Sequence, residues 1–460
     1  MRPRRPAAVL CACGMLLACS SSPQSPPDAG STSCVVEGPV VVHSGTLSGD
    51  DTWKGLHEVD GTFAVTGGTL TISPCSEIRM GPDASIELAA TATALIAEGT
   101  ANAPINFVRL QSTAPWGHLS ARAPARISLA YARIEGGGTS QAYSNAPEIG
   151  ASLSVKGDAA SLQQILHVDH VAVEGSAGLG VFLDAARFAT GSTQLTITNS
   201  GFYPMLLGAD SLSDVPDGAY TGNAVDEILL QTAGLAAVYE QQRPILGDVT
   251  AHARGVPYRI GAVPASIRVG DGYPTSPDGK LTLEAGVQLR FTPQGTSGTS
   301  QILVEAVQRA GSWVEQGALV AQGTAAQPVV FTSAAAAPQA GDWQGLYFSS
   351  VVHAASRIDH AIIEYAGGTS YSTGVCPWQN GASDYRADAA VILFLQADMP
   401  PSSEFITNTT FASSAGAGVY RQWQATDVDF LPTNTFTSIA GCLQTNIANT
   451  LNQCPASACP

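Results

Sequence analysis

The sequence predicts an all-β chain wound as a solenoid, and three observations carry that reading. Apolar residues alternate with polar ones in unusually short bursts. Examples are Leu70 and Ile72, Ile78 and Met80, Ile86 and Leu88, Leu95 and Ala97, and Ile105 and Phe107, with Gly, Pro, Asp and Asn between the bursts. Period-two alternation marks strands with one buried face, and strands at this spacing fit a sandwich, a propeller or a solenoid. Small residues are abundant, as tight coil corners need: the 460 residues include 47 Gly and 28 Pro. Asn precedes an aromatic expected to point inward in Asn199-Ser200-Gly201-Phe202, Asn408-Thr409-Thr410-Phe411 and Asn434-Thr435-Phe436. Asn tolerates left-handed turns, and stacked Asn side chains can ladder between coils. The shortness of the bursts and these corner residues favour the solenoid.

Composition excludes other classes. Only 13% of residues are charged against 45% hydrophobic, too few Glu, Lys and Arg for a helical bundle and too much apolar content for disorder. The net charge of −16 opposes nucleic-acid binding, which relies on neutralising phosphates.

The first element, residues 1–18, reads as a lipoprotein signal peptide. Arg2, Arg4 and Arg5 precede a short apolar run that ends in Leu16-Leu17-Ala18-Cys19. That ending resembles the lipobox of bacterial lipoproteins, which implies lipidation of Cys19 and membrane attachment through the lipid. Removing the leader removes three arginines and leaves a charge of −19. Residues 19–33 are a Ser/Pro-rich tether with nothing to bury. Ser20, where an Asp would signal retention at the inner membrane, implies the outer membrane, on its periplasmic or cell-surface side. Six further cysteines, Cys34, Cys75, Cys376, Cys442, Cys454 and Cys459, suggest disulfides in an exported chain. Proximity in sequence favours Cys34–Cys75, Cys376–Cys442 and Cys454–Cys459. None has the spacing of a zinc or thioredoxin-like redox pair.

The rest of the chain repeats. Leu95-Ile96-Ala97-Glu98-Gly99-Thr100 recurs as Leu319-Val320-Ala321-Gln322-Gly323-Thr324, and each run continues to a Pro and an aromatic, Pro104/Phe107 and Pro328/Phe331. Trp116 matches Trp343, Ile134-Glu135 matches Ile363-Glu364, and Gly137-Gly138-Thr139-Ser140 matches Gly367-Gly368-Thr369-Ser370. The offset between matches climbs steadily along the chain, as one duplication with small loop insertions predicts. Copy one is read as residues 34–245 and copy two as 246–460, the latter with a Cys-containing C-terminal cap. At roughly 22 to 26 residues per coil and about 4.8 Å per level, the solenoid would have on the order of 17 coils.

The motif Leu-x-Ala-x-Gly-Thr-x-x-x-Pro-[Ile/Val]-x-Phe, followed by Gly341-Asp342-Trp343-Gln344-Gly345 and Ile363-Glu364-Tyr365-Ala366-Gly367-Gly368, resembles secreted right-handed parallel β-helix proteins of the pectin-lyase-like superfamily. It is particularly similar to surface lipoproteins of myxobacterial type. Copy one departs from the pattern, with Ala114-Pro115-Trp116-Gly117 and no Tyr after Glu135. The resemblance implies a right-handed parallel β-helix over most of residues 60–440, and little about activity, since one fold hosts many functions.

Chemistry is sparse. The carboxylate and Gly-His-Gly motifs of polygalacturonase-like enzymes are absent as a set, as are hydrolase, zinc-protease and phosphate-loop motifs. The strongest acid/base neighbourhood is Asp342, Asp359, His360 and Glu364, yet copy one places Pro115, Ala130 and Tyr131 opposite the first three. Trp116/Trp343 and Glu135/Glu364 recur in both copies, which favours a coil-building role. Asp427 and Asp429 are expected to share one strand face, and so are His167 and Asp169, with His170 opposite. Asp50-Asp51 reads as a solvated turn. Tyr371, Trp378, Tyr385 and Trp423 are candidate stacking residues for sugars or partners. The sequence therefore predicts a lipid-anchored, non-catalytic envelope β-helix with a binding, adhesion or structural role. No cofactor or metal is expected, and its ligand would be a polysaccharide or an envelope protein. The alternative is a polysaccharide lyase or glycoside hydrolase, signalled by a groove that holds two or three carboxylates, or carboxylates and an Arg, at one coil level.

Overall fold

Strands of three to six residues dominate the chain, and successive coils pair them in parallel. The computed structural model describes residues 34–36, 38–139, 150–158, 162–231, 243–295, 299–369, 388–424, 426–448 and 459–460. Every strand pairing among these is parallel except one hairpin, Ala306–Arg309 with Ser312–Glu315. The architecture is a right-handed parallel β-helix of three faces.

The inward residues explain why the strands stack. On the first face Leu70, Leu95, Ile127, Leu166 and Phe188 lie in register on successive coils. On the second, Ile78, Phe107, Ile134, Val173 and Ile197 do the same. All are out of solvent and join one continuous core. Each such side chain contributes roughly 1.5–3 kcal/mol that an isolated coil cannot realise. The bursts from Leu70 to Phe107 all point into this core.

The corner between the first and second faces is turned by single residues in the left-handed region. Tyr131, His170 and Gln194 (φ 43°, 52° and 51°) serve the first half; in the second half His360 and Asn408 (φ 51° and 49°) turn the matching corner into Ala361–Glu364 and Thr410–Ala412, whose ladder continues from the third face of the first half. The third face differs from the other two. Its strand Leu179–Asp184 is buried on both sides, and so is Ala389–Leu395, which lies in a separate sheet of the second half. Outward-facing Phe182, Leu206 and Leu229 form one satellite cluster, and Tyr347, Ile392 and Tyr420 another.

The strand Ile228–Gln231 pairs with Met205–Gly208 on one side and Tyr258–Ile260 on the other, and the latter pairs with Gln288–Phe291. The ladder therefore crosses the middle of the chain without interruption. Glu227 reinforces it: its carboxylate accepts from Arg259 Nε at 2.7 Å and from Arg290 Nη1, joining three levels. On the first face, however, a 3-10 helix, Ala209–Asp214, takes the place of a strand beside Gly247–Ala251.

Several expectations need correction. Coil lengths vary widely: Leu166 pairs with Phe188, 22 residues on, but Ile358 pairs with Ile406, 48 residues on. Among the described residues the hairpin from Ala306 to Glu315 is one such addition, between Leu281 and its partner Leu319, and the described strands form fewer coils than 17. The disulfide Cys34–Cys75 is present, but Cys442 bonds to Cys459, not to Cys376, which also removes Cys454–Cys459. The cause is the C-terminal segment, where Gly418 and Val419 donate to the Cys442 and Leu443 carbonyls and hold Cys442 on the last coil, with Cys459 brought to a Cα separation of 5.3 Å. Cys376 and Cys454 lie outside the described residues, as do the leader, Cys19 and the tether.

The glycine match is one residue out of step. Gly138 and Gly367 share the left-handed conformation, and a Cβ on either would lie 2.4 Å from the hydroxyl of Ser176 or Ser414. Gly136 (φ 80°) therefore corresponds to Tyr365 (φ 61°), and Gly138 to Gly367.

Candidate functional site

The acidic residues singled out in the second half are placed by hydroxyl groups. Ser333 Oγ donates to Asp342 Oδ2 at 2.5 Å, and the Gln339 amide donates to the same oxygen, which closes a turn. Thr332 Oγ1 donates to Glu364 Oε1 at 2.7 Å, one coil away. Asp359 accepts from Thr407 Oγ1 at 2.7 Å and Asn408 Nδ2 at 2.9 Å on the next coil, and lies 3.3 Å from His360 Nδ1. Burial alone would raise the Asp359 carboxyl. The hydrogen bonds from Thr407, Asn408 and His360 outweigh that and pull it down to about 2. Asp359 and Glu364 sit on different faces, in strands Arg357–Asp359 and Ala361–Glu364 of separate sheets. The four residues thus form no single acid/base pair; each ties a turn or a coil to its neighbour.

Trp116 and Trp343 are fully buried, and their Nε1 atoms donate to the Glu135 and Glu364 carbonyls, each at 2.8 Å. Both glutamates take part through the backbone, so the bond accounts for the recurring Trp but not for the Glu beside it. Thr100 and Thr324 likewise close matching turns with Ala103 and Gln327.

The remaining candidates are also structural. Asp427 and Asp429 do not alternate on a strand. Asp427 pairs with the buried Arg421, and Asp429 accepts from the Leu431 amide and Gln444 Nε2 in an irregular segment that closes the last coil. Trp423 is no surface platform: it is 1% exposed and donates to the Thr426 carbonyl. Tyr371, Trp378 and Tyr385 lie outside the described residues. Asp50 Oδ1 accepts from the Thr69 amide, and Asp51 from the Thr52 amide and Trp53 Nε1. His167 and Asp169 do face outward together. His170 does not point opposite them: the chain turns left-handed there, so its ring stays outside, 2.7 Å from Asp169 Oδ1 and stacked on Tyr131 at 4.6 Å. Among the described residues no group of three or more His, Cys, Asp or Glu side chains is arranged to hold a metal ion.

A groove of about 540 Å³ opens instead at the corner where the 3-10 helix interrupts the first face. It is lined by residues 189–193 and 213–217 and by Arg254. Asp217 is held by Thr193 Oγ1 at 2.5 Å, the Gln194 amide at 3.1 Å and Gln194 Nε2 at 3.2 Å. The bonds from Thr193 and Gln194 keep its carboxyl below the ordinary range. Asp214 sits opposite in effect: burial raises it, against the pull of Arg187, whose Nη1 lies 3.4 Å away. Arg254 donates through Nε and Nη2 to the Val215 carbonyl, at 3.1 and 2.6 Å.

Asp214 and Asp217, with Arg254 from the following coil, therefore line one groove. Arg254 is remote in sequence from the two aspartates, and the stacking of successive coils brings it beside Val215. The one local signal is Ala209-Asp210-Ser211-Leu212-Ser213-Asp214-Val215-Pro216, which lacks the alternation of a strand and ends in a proline.

Residues 273–370 match the family model described as a pectate-lyase like beta helix domain. The groove lies N-terminal to the matched segment. No curated protein and no solved structure matches the chain.

Proposed function

We propose that the chain is a lipid-anchored cell-envelope protein that acts by surface binding, with a hydroxyl-rich polysaccharide as its ligand. Attachment through Cys19 at the outer membrane follows from the leader and the tether, and the two disulfides accord with export. Residues 34–245 and 246–460 are read as tandem copies, supported by the paired bonds of Trp116 and Trp343 and of Thr100 and Thr324.

One observation carries the binding reading. The polar groups of the groove are tied to the scaffold itself: Asp217 to Thr193 and Gln194, Arg254 to Val215, Ser213 to the Thr250 amide, and Ser192 to the Val168 amide. Groups fixed in this way present a rigid hydrogen-bonding surface of hydroxyls and carboxylate, suited to sugar hydroxyls.

A second reading, a polysaccharide lyase or glycoside hydrolase, is favoured by the family match and by the opposite shifts of Asp214 and Asp217 in one groove, a pattern that can separate an acid from a base. Purified residues 34–460 would be incubated with neutral and acidic polysaccharides, with and without calcium. Retention and new reducing or unsaturated ends would both be followed. Retention without product is expected. Product release that disappears on Asp214→Asn or Asp217→Asn would replace binding by catalysis.

A further inference from the structure

We propose that a platform built on the second half of the solenoid holds a sugar ring by stacking it on Tyr273, as a second point of attachment for the polysaccharide. The inference rests on the polysaccharide-binding reading and adds a place and a mode of contact that the groove does not supply.

Two enlarged corners on neighbouring coils make the platform. Leu281 pairs with Leu319 as Leu70 pairs with Leu95. The corners that lead into these strands are residues 66–68 and 89–93 in the first half, but 270–278 and 305–316 in the second. The last of these contains the antiparallel hairpin Ala306–Arg309 with Ser312–Glu315. The coil itself needs neither addition, since the first half winds the matching strands without them.

The two corners lock together. Gln316 is fully buried, and its side-chain amide is directed at the loop 270–278. Oε1 accepts from the Asp271 and Gly272 amides at 3.1 and 2.7 Å, and Nε2 donates to Asp271 Oδ1 and to the Tyr273 carbonyl, each at 3.1 Å. The Tyr273 amide donates to Asp271 Oδ1 at 2.9 Å. Arg309 of the hairpin donates to the Ser276 carbonyl and to Asp278 Oδ1, at 3.2 and 2.9 Å. Pro274 and Pro277 stiffen the same loop. The backbone around Tyr273 is thus fixed, yet the residue is 65% exposed, more than any other large hydrophobic among the described residues. An aromatic ring held out on a rigid support loses little freedom when a ligand covers it.

The surroundings choose the ligand. Apart from the two prolines, Tyr273 is the only large apolar side chain of the loop and hairpin that is exposed: Val307 is buried, and Trp313 and Val314 are half-buried. A protein partner needs a cluster of apolar anchors. One aromatic plane beside Thr275, Asp278 and Arg309 suits a pyranose instead, whose C–H face stacks on the ring while its hydroxyls meet the polar rim. The position suits a long chain as well. The Gly247 amide donates to the Asp278 carbonyl, so the platform adjoins the start of the strand Gly247–Ala251, and Arg254 of the groove follows its end. That strand spans about 16 Å, a distance one polysaccharide can bridge to engage both places.

The test uses the full chain in detergent, with affinity electrophoresis through gels that contain a soluble β-glucan, a galactomannan or polygalacturonate. At least one polymer should retard the wild type. For that polymer Tyr273→Ala should weaken the apparent affinity about three- to tenfold, the worth of one aromatic stack. Tyr273→Phe keeps the ring and should stay within about twofold of the wild type. Urea unfolding of both variants should match the wild type, because the side chain is exposed.

Retardation that is indifferent to Tyr273→Ala would overturn the platform while leaving the polysaccharide reading standing. An equal loss in Tyr273→Phe and Tyr273→Ala would overturn stacking as the mode of contact. No retardation of the folded wild type by any of the polymers would overturn both readings.

Discussion

Replacing Glu227 with Gln should loosen the middle of the solenoid. The Glu227 side chain is 5% exposed, and its two oxygens hold Arg259 and Arg290, which are 16% and 29% exposed. The substitution keeps the volume but removes the charge, leaving two guanidinium groups on adjacent coils to face each other. Breaking a buried ion pair from one side costs about 3–5 kcal/mol. Because both arginines retain some access to water, the lower end, about 3 kcal/mol, is the expected loss. Stability in a solenoid is close to a sum of neighbour terms, so the loss should be local. Hydrogen exchange should rise first in Ile228–Gln231, Tyr258–Ile260 and Gln288–Phe291, and urea unfolding should begin earlier. Replacing all three residues with Met should recover most of the loss, since the buried charges then disappear together. If Glu227→Gln lies within about 0.5 kcal/mol of the wild type with unchanged exchange, the ion triad does not hold the seam and the reasoning fails.

Two other perturbations test the ends and the corners. His43 Nε2 and His57 Nδ1 are 2.8 Å apart on the first two strands of the second face, with His43 stacked on Trp53 at 3.8 Å. Burial lowers both rings below their ordinary value; for His43 the neighbouring His57 adds to this, and Asp51 opposes it for both. The folded state therefore binds fewer protons than the unfolded chain below about pH 6.5, and stability present above that pH is lost as it falls toward the lowered values. Hydrogen exchange in Val41–Leu47, which is paired on one side only, should rise as pH falls from 7.5 to 5.5. His57→Phe should flatten that dependence, and a pH-independent exchange rate in the wild type would count against it. Trp343→Phe removes the bond to the Glu364 carbonyl and part of the stack on Phe291, whose ring lies 4.1 Å away. It should cost about 2–3 kcal/mol by urea unfolding, and Trp116→Phe a similar amount. Near-neutral values would show that the bond is incidental.

Legibility in the sequence followed the physics of each face. On the first two faces one side meets solvent, so Leu70, Ile72, Ile78 and Met80 alternate with polar residues and the strands can be read directly. Where both sides are covered, as along Ala389–Leu395, Ala389-Ala390-Val391-Ile392-Leu393 reads as a continuous apolar run without a period. The recurrence of Trp was visible, but not its partner, because the bond runs to a backbone carbonyl and any residue offers one. Counting identical glycines aligned Gly137 with Gly367. The backbone aligns Gly138 with it, because Tyr365 accepts the left-handed conformation that Gly136 also takes. Likewise Tyr131 and His360, unlike as side chains, turn the same corner.

The same physics argues for where function should be sought. In a regular solenoid each outward polar group has a neighbour one coil above and below, about 4.8 Å away. Such groups find partners within the ladder: Thr332 with Glu364, Arg133 with Glu174, Asp359 with Thr407. A carboxylate in that setting joins coils, as Asp217 does through Thr193 and Gln194; what sets Asp217 apart is that it lines a groove. This is why Asp342, Asp359 and Glu364, conspicuous in the sequence, are weak site candidates in the fold. The ladder breaks on the first face, where Ala209–Asp214 coils into a 3-10 helix and cannot pair as a strand. There the contacts to the next coil are made by side chains, Ser213 with the Thr250 amide and Arg254 with the Val215 carbonyl, and the corner opens into the groove beside Asp214 and Asp217. An interruption in the repeat is thus a better guide to a site than the residues the repeat preserves.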